Sequence, residues 1–220
     1  MIEQMLTKDC IKLDLKGKTK SEIIDEMVDV LYSAGKLNDK EEYKKAILAR
    51  EAQSSTGLEE GIAIPHAKTS AVKIPSIAFG LSKEGVDYNS LDGEPSKIFF
   101  MIAAPANASD THIEVLSKLT TMLLEDEVRE KLLSAKTPED VLNILGAGVD
   151  KKEEEEVKGA QVLAVTACPT GIAHTYMAAD ALIKKAKEMG VTIKVETNGS
   201  TGVKNLLTDE DIKNAKGIIV

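Results

Sequence analysis

The stretch Val162-Leu-Ala-Val-Thr-Ala-Cys168-Pro-Thr-Gly-Ile-Ala-His-Thr175 constrains the fold more than any other part of the chain. Val162, Leu163 and Val165 suit a buried strand. Pro169 and Gly171 end it. From His174 onward, Ala179, Leu182, Ile183, Ala186 and Met189 recur at helical spacing, and Gly190 stops the helix. Cys168 therefore falls in a strand-to-helix turn, close to a helix N-terminus. Free N–H groups there favour an anion and lower a thiol pKa. Gly171 permits close approach of the backbone to a ligand, and Thr170 and Thr175 supply hydroxyl donors. A thiolate in such a loop suits phosphoryl carriage. The same pattern also describes a structural thiol buried behind a strand, a common place for Cys.

Composition narrows the classes. The 220 residues are 43% hydrophobic and 29% charged, an ordinary globular balance that fits one or two domains. A net charge of −8, no Trp and no basic run interleaved with aromatics argue against a nucleic-acid partner. No apolar stretch approaches the ~20 residues needed to span a bilayer. The first residues, Met-Ile-Glu-Gln-Met-Leu-Thr-Lys-Asp-Cys, do not resemble a signal peptide. Cys10 and Cys168 are far apart and lack zinc-like or redox spacing, which fits a reducing cytoplasm.

The segment Cys168–Ala179, Cys-Pro-Thr-Gly-Ile-Ala-His-Thr-Tyr-Met-Ala-Ala, resembles the phosphocysteine loop of the fructose-type enzyme IIB domain of the bacterial phosphoenolpyruvate-dependent sugar phosphotransferase system. Lys194-Val-Glu-Thr-Asn-Gly-Ser-Thr-Gly202 is similar to the same domain, with Asn198 where Gln is usual. The likeness runs over residues 160–220. It implies that Cys168 takes phosphate from a phosphohistidine and passes it to a sugar, and that Pro169, Thr170, Gly171, Ile172, Ala173, His174 and Thr175 receive the phosphate.

In the first part of the chain, Cys10–Leu15 alternates as a strand, with Cys10 a structural thiol at its start. Thr19-Lys-Ser-Glu22 is a capping-box pattern before a stripe of Ile24, Met27, Val28 and Leu31, and Gly35 ends that helix. Asn38-Asp-Lys-Glu41 opens a second helix with the stripe Tyr43, Ala46, Ile47 and Arg50. A cation on an inward face costs free energy unless an anion meets it. From spacing alone, the better reading of Arg50 is a snorkelling side chain at the helix end. Ile62 and Ile64 alternate as a short strand that Pro65 stops, which presents His66 at the strand end. A neutral imidazole is a competent phosphoryl acceptor, although a single His is more often a satisfied surface or core residue. Ile77–Leu81 and Ile98–Ala103 read as strands, the second nearly all apolar and so central. Ser109 or Asp110 caps a helix with His112, Val115, Leu116, Leu119 and Leu123 on one face. His112, in its first turn, is either a neutral donor to an anion at that helix end or a core His bonded to a carbonyl. Thr137-Pro-Glu-Asp140 caps one more short helix, ending at Gly146.

Arg50-Glu51, Thr56 and Gly61-Ile-Ala-Ile-Pro-His66 are similar to the motif of the fructose/mannitol-type enzyme IIA domain of the same system. The likeness covers residues 1–145, and His112 falls at the second active-site His. It implies that His66 is phosphorylated and that Arg50 and His112 contact the phosphate. The implied fold class is α/β: a IIA domain with a mixed sheet flanked by helices, over 1–146, and a smaller Rossmann-like parallel α/β IIB domain, incomplete, over 160–220. The charged run Asp150-Lys-Lys-Glu-Glu-Glu-Glu156 reads as the linker, 147–159. Tethering of this kind raises the effective concentration of donor and acceptor. The second domain stops at Gly217-Ile-Ile-Val220, in what reads as a strand. About 60 residues is near the lower limit for an independent core, so the expectation is a fragment of a longer protein or a poorly ordered second domain.

The relay these resemblances imply runs from phospho-HPr to His66, to Cys168, and to fructose held by a membrane IIC component. It needs no cofactor or metal, and it places the chain in the cytoplasm with attachment to the membrane through IIC. A regulatory IIA-type phosphoacceptor is the alternative. A Cys phosphatase wants an Arg closing the loop where this chain has His174. A metal site from His66, His112 and Cys168 lacks local ligand spacing.

Overall fold

The computed structural model describes residues 2–108, 111–123, 125–147, 160–167, 173–199 and 202–220. The chain divides into two compact units: Met1–His112 with Asp126–Val149, and Ile113–Glu125 with Asp150–Val220.

The first unit holds a five-stranded mixed sheet. Its strands are β1 (Leu6–Lys12), β2 (Ile62–Ala63), β3 (His66–Thr69), β4 (Ser76–Val86) and β5 (Ser96–Pro105). The order is β1-β4-β5-β2, with β3 also on β5. β1 runs parallel to β4, β4 antiparallel to β5, and β2 and β3 parallel to β5. β4 is buried without interruption from Ser76 to Ser82, and β5 from Ile98 to Ala104. Unbroken burial means that both faces are covered, and it bears out the reading of Ile98–Ala103 as a central strand. Phe79 and Phe100, opposite each other in register, stack edge to face at 4.9 Å.

Helices α2 (Lys20–Ser33) and α3 (Lys40–Glu51) pack against each other, α2 on β1 and β4 and α3 on β3. Both start as the sequence pattern says. Thr19 caps α2 with a complete capping box to Glu22, and Asp39 caps α3. The α2 stripe Ile24, Met27, Val28 and Leu31 is fully buried, and Gly35 follows with φ +69°. Short α1 (Ile2–Met5) packs on α6 (Pro138–Ala147), which lies on β1, while α5 (Asp126–Ser134) contacts β5 and α6. α1 and α5 carry no strong start signal in the sequence and are found only in the structure. β1 begins at Leu6, four residues before the expected strand; Cys10 lies inside it, fully buried.

α4 (Thr111–Leu123) is amphipathic, with Val115, Leu119, Met122 and Leu123 buried. Its expected caps, Ser109 and Asp110, lie outside the described residues.

The second unit carries a four-stranded sheet of β6 (Val162–Ala167), β7 (Ile193–Gly199), β8 (Gly202–Lys204) and β9 (Gly217–Ile219), in the order β8-β7-β6-β9. β6, β7 and β9 are parallel, as expected, and β8 returns antiparallel to β7. α7 (Ala173–Glu188) lies on β6 and β7. Its inward stripe is Thr175, Ala179, Leu182 and Ala186; Ile183 and Met189, expected on that face, are exposed. One narrow stripe covers a small sheet, and buried Thr175 takes the place at its N-terminal end that the apolar count misses. Gly190 closes α7 with φ +68°. α8 (Asp209–Asn214) starts at Thr208 with a capping box to Asp211.

Candidate functional site

His66 follows the short strand β2 and the proline that stops it, as the sequence pattern says, but it does not end a strand there. It is the first residue of β3, opposite Ile102 of β5. Pro65, with no N–H to donate, interrupts the strand between β2 and β3, yet its carbonyl still accepts from Ile102 N–H at 2.9 Å. The edge therefore continues past the proline, and the imidazole is held by strand geometry on both sides.

Both ring nitrogens are engaged. Nδ1 lies 2.8 Å from the carbonyl oxygen of Ile64, and Arg50 Nε donates to Nε2 at 3.2 Å. A donor facing Nε2 requires a lone pair there. Nδ1 must carry the ring hydrogen and give it to Ile64 O. The neutral imidazole thus presents its basic nitrogen to a guanidinium, in a half-buried position.

Arg50 reaches this place because α3 is anchored nearby. Tyr43, fully buried two turns earlier on the same stripe, donates from its hydroxyl to Ile102 O at 3.1 Å. That residue of β5 is the partner of His66, so one hydrogen bond ties the helix of Arg50 to the strand beside His66. Burial pushes the Tyr43 hydroxyl well above its ordinary pKa and keeps it a donor. The guanidinium also donates from Nη1 to Ser54 O at 3.0 Å and to Ser54 Oγ at 3.3 Å. The snorkelling reading of Arg50 does not hold: its side chain turns to His66 rather than out into solvent.

Beneath this pair is a polar cluster that sequence reasoning only touched. Glu51 is 5% exposed in its side chain and pairs with Lys20 Nζ at 2.7 Å. Its carboxylate also accepts from Thr56 N–H at 3.1 Å, from the Thr56 hydroxyl, and from the Tyr88 hydroxyl at 3.4 Å. Lys20 sits 4.4 Å from the Tyr88 ring centroid. Tyr88 is fully buried, and burial followed by the Glu51 charge raises its pKa. The inward position of Glu51 beside Arg50 was a usable signal; nothing in the spacing points to Lys20, Ser54 or Tyr88.

His112 is the second residue of α4, in its first turn as expected; its side chain lies outside the described residues. Cys168, Pro169, Thr170, Gly171 and Ile172 also lie outside them. They connect β6, an interior strand, to α7. Ala173 and His174 open α7, and Thr175 is buried in its first turn.

Comparison with known proteins also finds two parts. Residues 4–147 match the family model described as "Phosphoenolpyruvate-dependent sugar phosphotransferase system, EIIA 2". Residues 163–220 match "PTS system, Lactose/Cellobiose specific IIB subunit". The PTS system fructose-specific EIIABC component of Bacillus subtilis is 57% identical over 230 residues, covering 100% of this chain and 36% of that protein. The 2-O-alpha-mannosyl-D-glycerate-specific EIIABC component of Escherichia coli is 34% identical, covering 96% and 33%. Among solved structures, the nitrogen regulatory protein IIA-Ntr from Neisseria meningitidis superposes with a TM-score of 0.62 at 33% identity, covering 66% of this chain and 98% of that one. The chain belongs to the EIIA type 2 family of the phosphoenolpyruvate-dependent sugar phosphotransferase system, with a IIB-type segment following. It spans about a third of the length of the curated relatives it matches. None of the described helices is long and apolar enough to cross a membrane.

Proposed function

We propose that this chain is a phosphoryl relay that takes phosphate from the phosphohistidine of HPr onto His66 and passes it to Cys168 and then to fructose held by a membrane IIC component. Domains at 1–146 and 160–220, joined by the linker at 147–159, carry the two steps. The observation that carries the reading is the pair of contacts on His66: Nδ1–H on Ile64 O, and Nε2 faced by Arg50.

In the first transfer the Nε2 lone pair attacks phosphorus, the bond to the donor imidazole breaks, and its electron pair stays with the donor. Phosphoryl transfer asks for positioning and charge neutralisation more than for covalent help. Arg50 supplies the positive charge, and its bond to Nε2 yields to bonds with the phosphoryl oxygens. Ile64 O keeps the hydrogen on Nδ1, so the phosphorylated ring stays cationic and leaves readily when the Cys168 thiolate attacks. Resemblance adds His112 as a second phosphate contact and Pro169–Thr175 as the receiving loop. The fructose assignment rests on the specificity named for the Bacillus subtilis relative.

A regulatory phosphoacceptor is the second reading, favoured by the likeness of residues in the first unit to IIA-Ntr. The IIB-type match in the same chain weighs against it. Incubation with phosphoenolpyruvate, enzyme I and HPr, followed by mass mapping, tests both. The relay expects acid-labile phosphate on His66 first and on Cys168 next. Phosphate that stays on His66 in a chain extended through IIC refutes it.

A further inference from the structure

We propose that the Lys20–Glu51 pair, its carboxylate side chain 5% exposed and its ammonium side chain half-buried, is the positioning device that sets the tautomer and orientation of His66, and that Lys20, Glu51 and Thr56 are positioning residues for the phosphoryl-accepting site. The inference rests on the reading of His66 as the phosphoacceptor.

The contacts on the two ring nitrogens both trace back to one carboxylate. Glu51 closes the loop that follows α3 by taking the N–H and the hydroxyl of Thr56. Inside that loop, the carbonyl and hydroxyl of Ser54 hold Arg50 Nη1, which aims Nε at His66 Nε2. At the loop's far end, Thr56 O accepts from Ile64 N–H at 3.0 Å, and Ile64 O accepts from His66 Nδ1. Residues 57 and 63 bridge beside this contact, and Leu58 N–H donates to Ile62 O at 2.8 Å. The loop and the strand before His66 therefore move as one.

Lys20 locks the carboxylate from the other side. Besides the ion pair, its Nζ donates to Ser55 Oγ at 3.1 Å and to Tyr88 O at 3.2 Å. Ser55 Oγ donates to Tyr88 O at 2.8 Å and accepts Gly57 N–H at 3.1 Å. A pair with one half-buried partner is weak support for stability in itself. Its value here is geometric: removing either charge frees Thr56, and through it both Ile64 O and the Ser54 clasp on Arg50.

The test uses the whole chain. Two-bond proton–nitrogen spectra report which His66 nitrogen is protonated, and single-turnover transfer from phospho-HPr reports the rate. The wild type is expected to show Nδ1–H. The variants Lys20→Met with Glu51→Gln, and separately the near-isosteric Thr56→Val, are expected to show mixed tautomers and about ten-fold or more slower transfer, since small misplacement near the reacting atoms is costly. Lys20→Arg, which keeps the ion pair, is expected to restore the wild-type spectrum where Lys20→Met loses it. An unchanged tautomer in folded Thr56→Val and in the double variant overturns the proposal. If His66 is not the phosphoacceptor, the rates lose their meaning but the tautomer spectra still decide, so the two failures are separable.

Discussion

Replacing Arg50 gives the sharpest test of the site. Its guanidinium makes one contact to the His66 imidazole and two to Ser54, and it is half-buried. With His66 phosphorylated as proposed, Nε and Nη groups are placed for charge-assisted hydrogen bonds, each worth about 1.5–3 kcal/mol. The Coulomb attraction at ~4 Å is about 4 kcal/mol per charge pair at an effective dielectric of ~20. Water at a half-exposed position cuts that to roughly 1–2 kcal/mol. Losing one such bond and the screened attraction, Arg50→Met forfeits about 2.5–5 kcal/mol, or roughly 10²–10⁴-fold in the rate of transfer from phospho-HPr. Arg50→Lys keeps the charge but not the fork, because one ammonium does not span Ser54 and the phosphoryl group together; it is expected to lose about 10–10²-fold. Rapid-quench single-turnover transfer measures both, with thermal melting to confirm that the fold is intact. Arg50→Met within about three-fold of the wild type, in a folded protein, refutes the proposed role of the guanidinium.

Three further outcomes follow from the structure. A Cβ added at Gly80 meets Leu15 Cδ1 and Met27 Sδ, each at 2.6 Å and both buried, so Gly80→Ala is expected to cost about 1–3 kcal/mol by overpacking; an unchanged melting temperature contradicts it. Burial pushes the Cys10 thiol up, partly offset by the Thr7 hydroxyl; the folded chain keeps a proton that the unfolded chain releases above roughly pH 8.5. Stability should therefore fall as pH rises past that value, more steeply in the wild type than in Cys10→Ala, and equal alkaline slopes in denaturant titrations argue otherwise. Lys194 and the Thr208 cap hold Asp211 down to about 2. Its contribution is complete above the ordinary carboxyl range near ~3.9 and drains away as pH falls through about 2, so acid melting of the second sheet should shift in Lys194→Met; identical acid profiles tell against the pair.

Much of the fold was legible because the signals were local. The Thr19–Glu22 capping box announces its helix, and the unbroken apolar run at Ile98–Ala103 announces an interior strand. α5 was not legible: its apolar residues are few and Arg129, 9% exposed, sits on its buried side beside Asp126 and Glu60. Apolar periodicity puts Ile183 and Met189 on the inner face of α7, but both are exposed, because a threonine, Thr175, is buried in the stripe. At the site, spacing marks Arg50 as anomalous and leaves His66 open between surface and core, and only tertiary placement brings them to 3.2 Å. Lys20 lies at the start of a different helix, where it reads as an ordinary surface cation.

The register across Pro65 has a last consequence. Ile62 faces Ile98 and His66 faces Ile102, so the two short strands keep a single phase despite the proline. Ile62, Ile64, His66 and Lys68 therefore share one side, running from fully enclosed through half-covered to open. That side is a ramp out of the interior, and the imidazole stands on the one rung where a ring is both gripped by the protein and reachable from outside. A histidine moved two places back along it would be walled in, and one moved two places forward would lose its hold.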